Sequence, residues 1–193
     1  MNRQQFVTGI VGIIVGFILG FFVAQGVIPA GVSPPEMSGQ VPEDHPSPEI
    51  LEQLETMLDR ARTDPADREV RVALGNTYYD MERYDAAIPW YKEALALRAD
   101  DVGVSTDLGT SYLATGAVEQ ALEQYRKSLE LDPEHPQTLQ NMGFAHFSVG
   151  DYEAAIASWE RLLKAHPDYA HAEDIREQMR LAQNHMATDA PSQ

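Results

Sequence analysis

Equivalent residues recur every 34 positions along this chain, and this period constrains the fold more than any other feature of the sequence. The columns are Gly75, Gly109 and Gly143; Ala87, Ala121 and Ala155; Tyr91, Tyr125 and Trp159; and Leu95, Leu129 and Leu163. Several columns that share one register indicate an array of stacked units, because a unit this short cannot bury its apolar face alone.

Each unit reads as two helices joined by a turn. Pro133 and Pro167 interrupt the chain between units, since proline cannot continue a helix. Gly116 and Gly150 mark the turn inside a unit. The glycine column predicts where the two helices cross most closely, and the aromatic column fills the space toward the next unit. Pro89 is expected in the first turn of its helix, where a missing N–H is least harmful.

The columns closely resemble the pattern of the tetratricopeptide repeat (TPR) family, which places Leu-Gly, Tyr, Ala, an aromatic residue, Ala and Pro at set offsets. The matching residues are Leu74, Gly75, Tyr78, Ala87, Tyr91 and Ala94; Leu108, Gly109, Tyr112, Ala121, Tyr125, Ser128 and Pro133; and Met142, Gly143, His146, Ala155, Trp159 and Pro167. The family's early tryptophan is replaced by Arg71, Ser105 and Leu139. The resemblance covers residues 68–169 and implies an all-α, right-handed TPR solenoid of antiparallel helix pairs.

The repeats set the predicted domain organisation. TPR 1 covers 68–101, TPR 2 covers 102–135 and TPR 3 covers 136–169. An apolar stripe within 49–67 predicts a half-repeat helix before them, and the stripe consists of Ile50, Leu51, Leu54, Met57 and Leu58. An amphipathic helix at 170–185 is expected to cap the stack, which keeps the end of a solenoid soluble. Residues 186–193 are predicted to form a disordered tail.

The resemblance also implies a binding groove, because the first helices of TPR units line a concave surface that holds peptides or helices. By the family's register the groove residues are Val72, Asn76, Tyr79 and Asp80; Thr106, Asp107, Thr110 and Leu113; and Gln140, Asn141, Phe144 and Phe147. Apolar side chains with interspersed Asn and Asp suit an amphipathic helix or an extended segment. An alternative for Phe144 and Phe147 is that they pack against a neighbouring helix.

Chaperone-binding TPR domains hold a peptide carboxylate with basic groove residues, and this chain does not match that subclass. Four of the corresponding positions are Val72, Thr106, Gln137 and Asn141, and only Asn76 agrees. A carboxylate clamp is therefore not expected.

The N-terminal segment predicts a membrane anchor. Residues 6–28 carry no charge, and a helix of that length measures roughly 34 Å, enough to cross a hydrocarbon core of about 30 Å. Arg3 precedes the span, and no other basic residue appears until Arg60. The positive-inside rule then leaves a cytoplasmic tip at 1–5 and exports the rest. A proline-rich, disordered linker follows at 29–48, and a cleaved signal peptide is the alternative reading.

Small residues recur every four positions within the predicted span. Gly12, Gly16, Gly20 and Ala24 fall along one helix face, together with Thr8. A stripe without bulky side chains lets a second membrane helix approach closely. We expect this stripe to serve a homodimer or a partner's transmembrane helix; the alternative is that glycine is simply common in membrane helices.

Charge and motifs exclude several functions. The net charge of −16 disfavours nucleic acid and is compatible with basic partners; the alternative is that the acidic surface is simply solvated. The chain has no cysteine, which excludes disulfides, thiolate metal sites and covalent haem attachment. None of the histidines falls in a strong metal motif, and no catalytic or nucleotide-binding motif occurs; the histidines are His45, His135, His146, His166, His171 and His185. We expect no enzyme, no metal and no cofactor.

These features predict a scaffold in a bacterial inner membrane, with a single span, a cytoplasmic N-terminus and a periplasmic TPR domain that recruits a client protein. Residues 154–179 are also similar to the C-terminal end of TPR proteins in cytochrome c maturation, which implies an apocytochrome-presenting subunit as one alternative. An assembly factor beside a translocon or envelope machine is a further alternative, in which the anchor supplies the contact.

Replacing both Gly16 and Gly20 with Ile tests the small-residue stripe. We expect the complex containing this chain to become smaller in native membranes, because the added side chains keep a second helix at a distance. Chemical crosslinking and native electrophoresis measure the size. The pair Val15→Ile and Leu19→Ile places the same two isoleucines beside the stripe rather than on it and serves as control. An unchanged complex in the glycine variant would show that the stripe is not an interface.

Overall fold

The computed structural model describes residues 47–189, and all of its regular structure is helical. The helices are α1 (Pro48–Thr63), α2 (Arg68–Asp80), α3 (Tyr84–Leu97), α4 (Val102–Ala114), α5 (Val118–Leu131), α6 (Pro136–Ser148), α7 (Tyr152–Ala165) and α8 (Ala172–Asp189). Each helix packs against the next in the chain, and α4 also contacts α6. Short loops make consecutive helices antiparallel. The prediction of an all-α stack of helix pairs is confirmed.

The predicted transmembrane segment at 6–28, with Gly12, Gly16, Gly20 and Ala24, lies outside the described residues. Within residues 47–189, no helix combines the length and the apolar character that crossing a membrane requires.

The tight turns inside the helix pairs share one backbone conformation. Gly116 and Gly150 have positive φ angles of 80° and 78°, and Glu82, at the same place in the first repeat, has a φ of 57°. In each turn a backbone N–H bonds back to a carbonyl five residues earlier, as Ala117 does to Tyr112 at 2.9 Å. This left-handed residue ends the first helix and reverses the chain. Glycine adopts it freely, whereas glutamate does so at a cost.

Aspartate side chains start three of the helices. Asp67 accepts a hydrogen bond from the Val70 N–H at 3.0 Å, Asp101 accepts one from Val104 at 3.0 Å, and Asp151 accepts one from Ala154 at 3.2 Å. Each bond satisfies a backbone donor that the first turn leaves free.

The core is a chain of apolar clusters along the stack rather than one central cluster. Ala87 and Tyr91 of one repeat pack with Val104 and Leu108 of the next. Toward the C-terminal end, Trp159 packs with residues of α5, α6, α7 and α8. Each unit thus contacts mainly its neighbours, which is the arrangement of a solenoid.

Two details differ from the sequence prediction. Pro89 is the sixth residue of α3 rather than part of its first turn, and the helix continues past it to Leu97; its side chain is exposed. The last helix continues to Asp189, beyond the end predicted at residue 185. Leu181 and Met186, in its final turns, are both substantially exposed. These turns therefore lack the buried apolar stripe from which a helix is predicted.

Replacing Glu82 with Gly tests the strained turn. We expect the free energy of unfolding to rise by about 0.5–1 kcal/mol, because the left-handed conformation no longer carries a Cβ penalty, although glycine also gains entropy in the unfolded chain. Urea denaturation followed by circular dichroism measures the change. Gly116→Ala is the matched control and should lower stability by about 1 kcal/mol. A less stable Glu82→Gly variant would contradict this account.

Candidate functional site

The first helices of the three repeats, α2, α4 and α6, carry the residues that the sequence assigned to a groove. These residues, including Asp107 and Asn141, are called the row below. Asn76 and Asp80 are exposed, and Thr106 is buried. The others are half-buried, and they are Val72, Tyr79, Thr110, Leu113, Gln140, Phe144 and Phe147. The row therefore combines apolar and polar side chains at intermediate burial, as a peptide-binding surface requires.

Tyrosines of the second helices fix two polar residues of this row. The Tyr91 hydroxyl donates to Asn76 Oδ1 at 3.0 Å, and the Tyr125 hydroxyl donates to Thr110 Oγ1 at 3.1 Å. The two bonds are equivalent, one repeat apart. Asn141 Nδ2 also donates to Thr110 Oγ1, at 2.9 Å, and so links the second repeat to the third. The row is thus pre-organised by hydrogen bonds rather than left to side-chain motion.

The third repeat replaces this hydrogen bond with aromatic packing. Phe144 meets Trp159 edge to face, with ring centroids 5.3 Å apart. Phe147 lies 5.2 Å from Tyr152 and 6.0 Å from His185 of α8. The alternative reading, that both phenylalanines pack on neighbouring helices, is confirmed. Each side chain nevertheless keeps a partly exposed surface.

Both the backbone and the side-chain oxygen of Gln140 accept hydrogen bonds. Its backbone carbonyl accepts from Trp159 Nε1 at 3.2 Å, and its side-chain Oε1 accepts from the Tyr169 hydroxyl at 2.5 Å. Within residues 47–189 the amide nitrogen makes no hydrogen bond, so Gln140 can present this donor to a ligand, while its Oε1 already accepts one bond.

Thr106 does not line a groove, and its assignment was wrong. The residue is 3% exposed, and its Oγ1 lies 2.9 Å from Ser128 Oγ and 2.6 Å from Thr138 Oγ1. His135 Nδ1 lies 2.8 Å from the same Thr138 hydroxyl. Three hydroxyls from α4, α5 and α6 therefore satisfy one another in the core. The family register could not anticipate this, because it depends on which residues the neighbouring helices bring.

Carboxylates without a cation are the main electrostatic feature of the row. Burial, helped by the charges of Asp101 and Asp80, raises the pKa of Asp107 to about 7. Burial also raises the pKa of Asp80. Within residues 47–189, neither carboxylate forms an ion pair.

Asp107 lies close to the aromatic part of the first repeat. Burial, followed by the nearby Asp107 charge, raises the pKa of both Tyr79 and Tyr91. The Tyr79 ring lies edge to face with Tyr84 at 5.2 Å and with Tyr91 at 6.5 Å. An acid beside these partly buried tyrosine rings is in a low-dielectric setting, in which a charge interacts strongly.

Basic residues on these first helices are few and already paired. The only ones are Arg68 and Arg71 of α2, since α4 and α6 contain no Lys or Arg. Arg68 pairs with Asp101, and Arg71 lies 3.0 Å from Glu93 and also bonds to backbone carbonyls. Neither guanidinium pairs with Asp80 or Asp107.

Sequence reasoning missed two contributors, the hydroxyls of Tyr91 and Tyr125. A signal was present, because both aromatic-column residues are tyrosine and each stands 15 positions after the polar residue that it binds. Among the described residues, no group of three or more His, Asp or Glu side chains is placed to hold a metal ion.

Comparison with known proteins gives consistent results. Residues 72–187 match the family model described as the cilia and flagella-associated protein 70 middle TPR-like domain. No curated protein matches the sequence. Among solved structures, a MamA protein is 16% identical with a TM-score of 0.62, and the match covers 75% of this chain and 88% of that one.

Two further structures are similar in fold. The first TPR of Spaghetti (RPAP3), bound to the HSP90 peptide SRMEEVD, is 21% identical with a TM-score of 0.58; the match covers 64% of this chain and 96% of that one. A tetratricopeptide repeat protein from Parabacteroides merdae is 19% identical with a TM-score of 0.64, covering 70% of this chain and 54% of that one.

Replacing Asp107 with Asn tests the electrostatics of the row. Its pKa is higher folded than unfolded, so the proton stabilises the fold fully below about pH 4, and this contribution is lost as the pH rises through about 7. Asp107→Asn should therefore raise the free energy of unfolding by about 1–2 kcal/mol near pH 8, where water still reaches part of the side chain and weakens the effect, and change it little near pH 4. Urea denaturation at both pH values measures this. Equal effects at the two pH values would contradict the assignment.

Proposed function

Because this chain belongs to the tetratricopeptide repeat family, we propose that it is a non-catalytic scaffold that binds a peptide or helix of a client protein along α2, α4 and α6. The observation that carries this proposal is the pre-organised row, in which Tyr91 and Tyr125 hold Asn76 and Thr110 in place beside apolar side chains. Polar groups fixed before binding lose little entropy when a ligand arrives.

The row has both parts of a recognition surface. Tyr79 and Leu113 offer half-buried apolar area, and Asn76 and Gln140 offer amide groups for a ligand's backbone or side chains. An amphipathic segment can bury apolar anchors and satisfy its polar groups on such a surface. A related fold is known with a peptide bound: the first TPR of Spaghetti (RPAP3) binds the HSP90 peptide SRMEEVD.

We also propose that the chain acts at a membrane. The uncharged segment at 6–28 would anchor it, the linker at 29–48 would hold the repeats away from the bilayer, and the charge asymmetry would place the repeats outside the cytoplasm of a bacterium. The scaffold would recruit its client to an envelope complex. The stripe of Gly12, Gly16, Gly20 and Ala24 would add a homodimer or a partner's transmembrane helix.

No specific observation favours either of the narrower alternatives, the cytochrome c maturation subunit or the assembly factor. The similarity of residues 154–179 to cytochrome c maturation proteins includes Ala155, Trp159, Leu162 and Ile175, and all of these are buried in one core cluster. Packing alone accounts for residues of this kind at those positions. The assembly-factor alternative depends on the small-residue stripe and on the partner that it meets.

A selection experiment tests the groove. We expect short random peptides displayed on phage to be selected by the full chain in detergent, and the selected peptides to lose about tenfold in affinity for the variant Leu113→Ala, because a central apolar anchor loses its contact. Fluorescence anisotropy measures the affinity. Leu131→Ala is the matched control, since Leu131 is an exposed leucine on α5, and it should leave binding unchanged.

A second measurement does not depend on the stability of a variant. Amide hydrogen exchange of the full chain, with and without peptide, should show added protection in α2, α4 and α6 and little in α3, α5 and α7. The proposal fails if no peptide is selected, or if the protection and the loss of affinity map to the second helices.

A further inference from the structure

Most of the partly buried charged side chains of residues 47–189 form ion pairs, and the two that do not are Asp107 and Asp132. Asp132, at the end of α5, instead accepts a hydrogen bond from the backbone N–H of Glu134 at 3.2 Å. Arg68, with a side chain 10% exposed, pairs with Asp101, and Arg71, 9% exposed, pairs with Glu93 at 3.0 Å. Asp67, 9% exposed, pairs with Arg60. Asp107 is half-buried as well, yet among residues 47–189 it has no cationic partner. A charge left in this state costs folding free energy.

The fold does not require an acid at this position. The equivalent residue one repeat later is Asn141, which donates a hydrogen bond to Thr110 at 2.9 Å. An amide of the same size therefore fits the same column without the electrostatic cost. A partly buried carboxylate without an internal partner, set in a binding surface, is the arrangement in which a ligand's cation completes the pair.

The surroundings of Asp107 strengthen the preference for a cation. Asp80 and Asp101 are the acids that act on it, and Asp101 is already paired with Arg68 and Arg98. The half-buried ring of Tyr79, on which the Asp107 charge acts, can offer its π-electrons to a cation. No Lys or Arg of α4 or α6 competes for the position.

The whole chain adds a longer-range field of the same sign. It has 30 acidic and 14 basic residues, a net charge of −16. Such a field draws a basic segment toward the protein and repels an acidic one. The local site and the overall charge therefore favour the same partner chemistry.

We propose that the partner segment carries a lysine or arginine that pairs with Asp107 and Asp80 at the junction of the first and second repeats. This inference rests on the proposed peptide-binding function and names the chemistry that the groove selects. The apolar residues of the same segment would lie on Tyr79 and Leu113 toward one side and on Phe144 toward the other. The occupant is thus a basic amphipathic segment of another protein, rather than an acidic peptide or a second copy of this acidic chain.

Peptides selected from a random phage-displayed library by the full chain in detergent provide the probe. We expect selected sequences to share a Lys or Arg, and a synthetic peptide with that residue replaced by Gln to bind about tenfold more weakly. A peptide with Glu at the same place should bind more weakly still. The preference for Lys over Gln should shrink to less than about twofold in the variant Asp107→Asn, which keeps the size of the side chain.

A matched variant separates a local pair from the general field. Glu160→Gln removes the same charge from an exposed residue of α7, a second helix, and it should retain the preference for Lys. If both variants lose the preference equally, the effect is long-range attraction only, and the proposed pair is wrong.

The remaining outcomes distinguish this inference from the function that it rests on. Selected peptides without a basic residue, weakened by Leu113→Ala but indifferent to Asp107→Asn, would leave the groove function standing and overturn the cation site. If the library yields no peptide, the groove function falls and the cation site falls with it. A peptide that depends on both Leu113 and Asp107, and on its own Lys or Arg, establishes the inference.

Discussion

The stack depends on the close contact between one glycine and one aromatic ring in every repeat. A Cβ placed on Gly75 would lie 2.5 Å from Tyr91 Cε1, and one placed on Gly109 would lie 2.5 Å from Tyr125 Cε1. No side chain fits there unless the two helices separate. The rings themselves are almost completely buried. The distance between the helices of a pair is therefore set by the thickness of a ring lying against a bare backbone.

The same contact positions the groove. Asn76 and Thr110 immediately follow the two glycines, and the hydroxyls of Tyr91 and Tyr125 bond to them at 3.0 Å and 3.1 Å. A ring seated on the glycine reaches the next residue of the first helix with its polar end. Packing in the interior and order on the binding surface thus come from one side chain, which carries both an apolar body and a hydroxyl.

The third repeat keeps the contact but changes its consequence. Gly143 faces Trp159, whose Nε1 bonds to the Gln140 carbonyl instead of to a side chain of the row. Phe144 takes the place of Asn76 and Thr110 and packs on the tryptophan. The surface therefore changes along the stack, from polar and acidic groups in the first two repeats to aromatic area in the third. A segment lying along the whole row would therefore meet more aromatic surface at the third repeat than at the first two.

The sequence predicts the features that depend on residues of one repeat better than those that depend on several helices. The period, the glycine contacts and the turns at Gly116 and Gly150 depend on residues within one repeat, and the structure confirms them. Thr106 depends on Ser128 and Thr138 from two other helices, and its burial was not predictable from its own repeat. Phe144 and Phe147 were predictable only in part, because their packing partners lie both in the same repeat and, for Phe147, at His185 of the last helix.

Asp107 combines a position that the sequence predicts with an environment that only the structure reveals. Its place on a first helix follows from the period, but its lack of an ion pair within residues 47–189 follows only from the structure, in which Arg68 pairs with Asp101 and Arg71 with Glu93. A single repeat gives no reason to choose acid over amide at this column, since Asn141 satisfies it in the next repeat with a hydrogen bond. Stability alone favours the amide, because the carboxylate must be desolvated without compensation. In the proposed complex, a basic residue of the partner would supply the compensation that the Asp107 carboxylate lacks within residues 47–189.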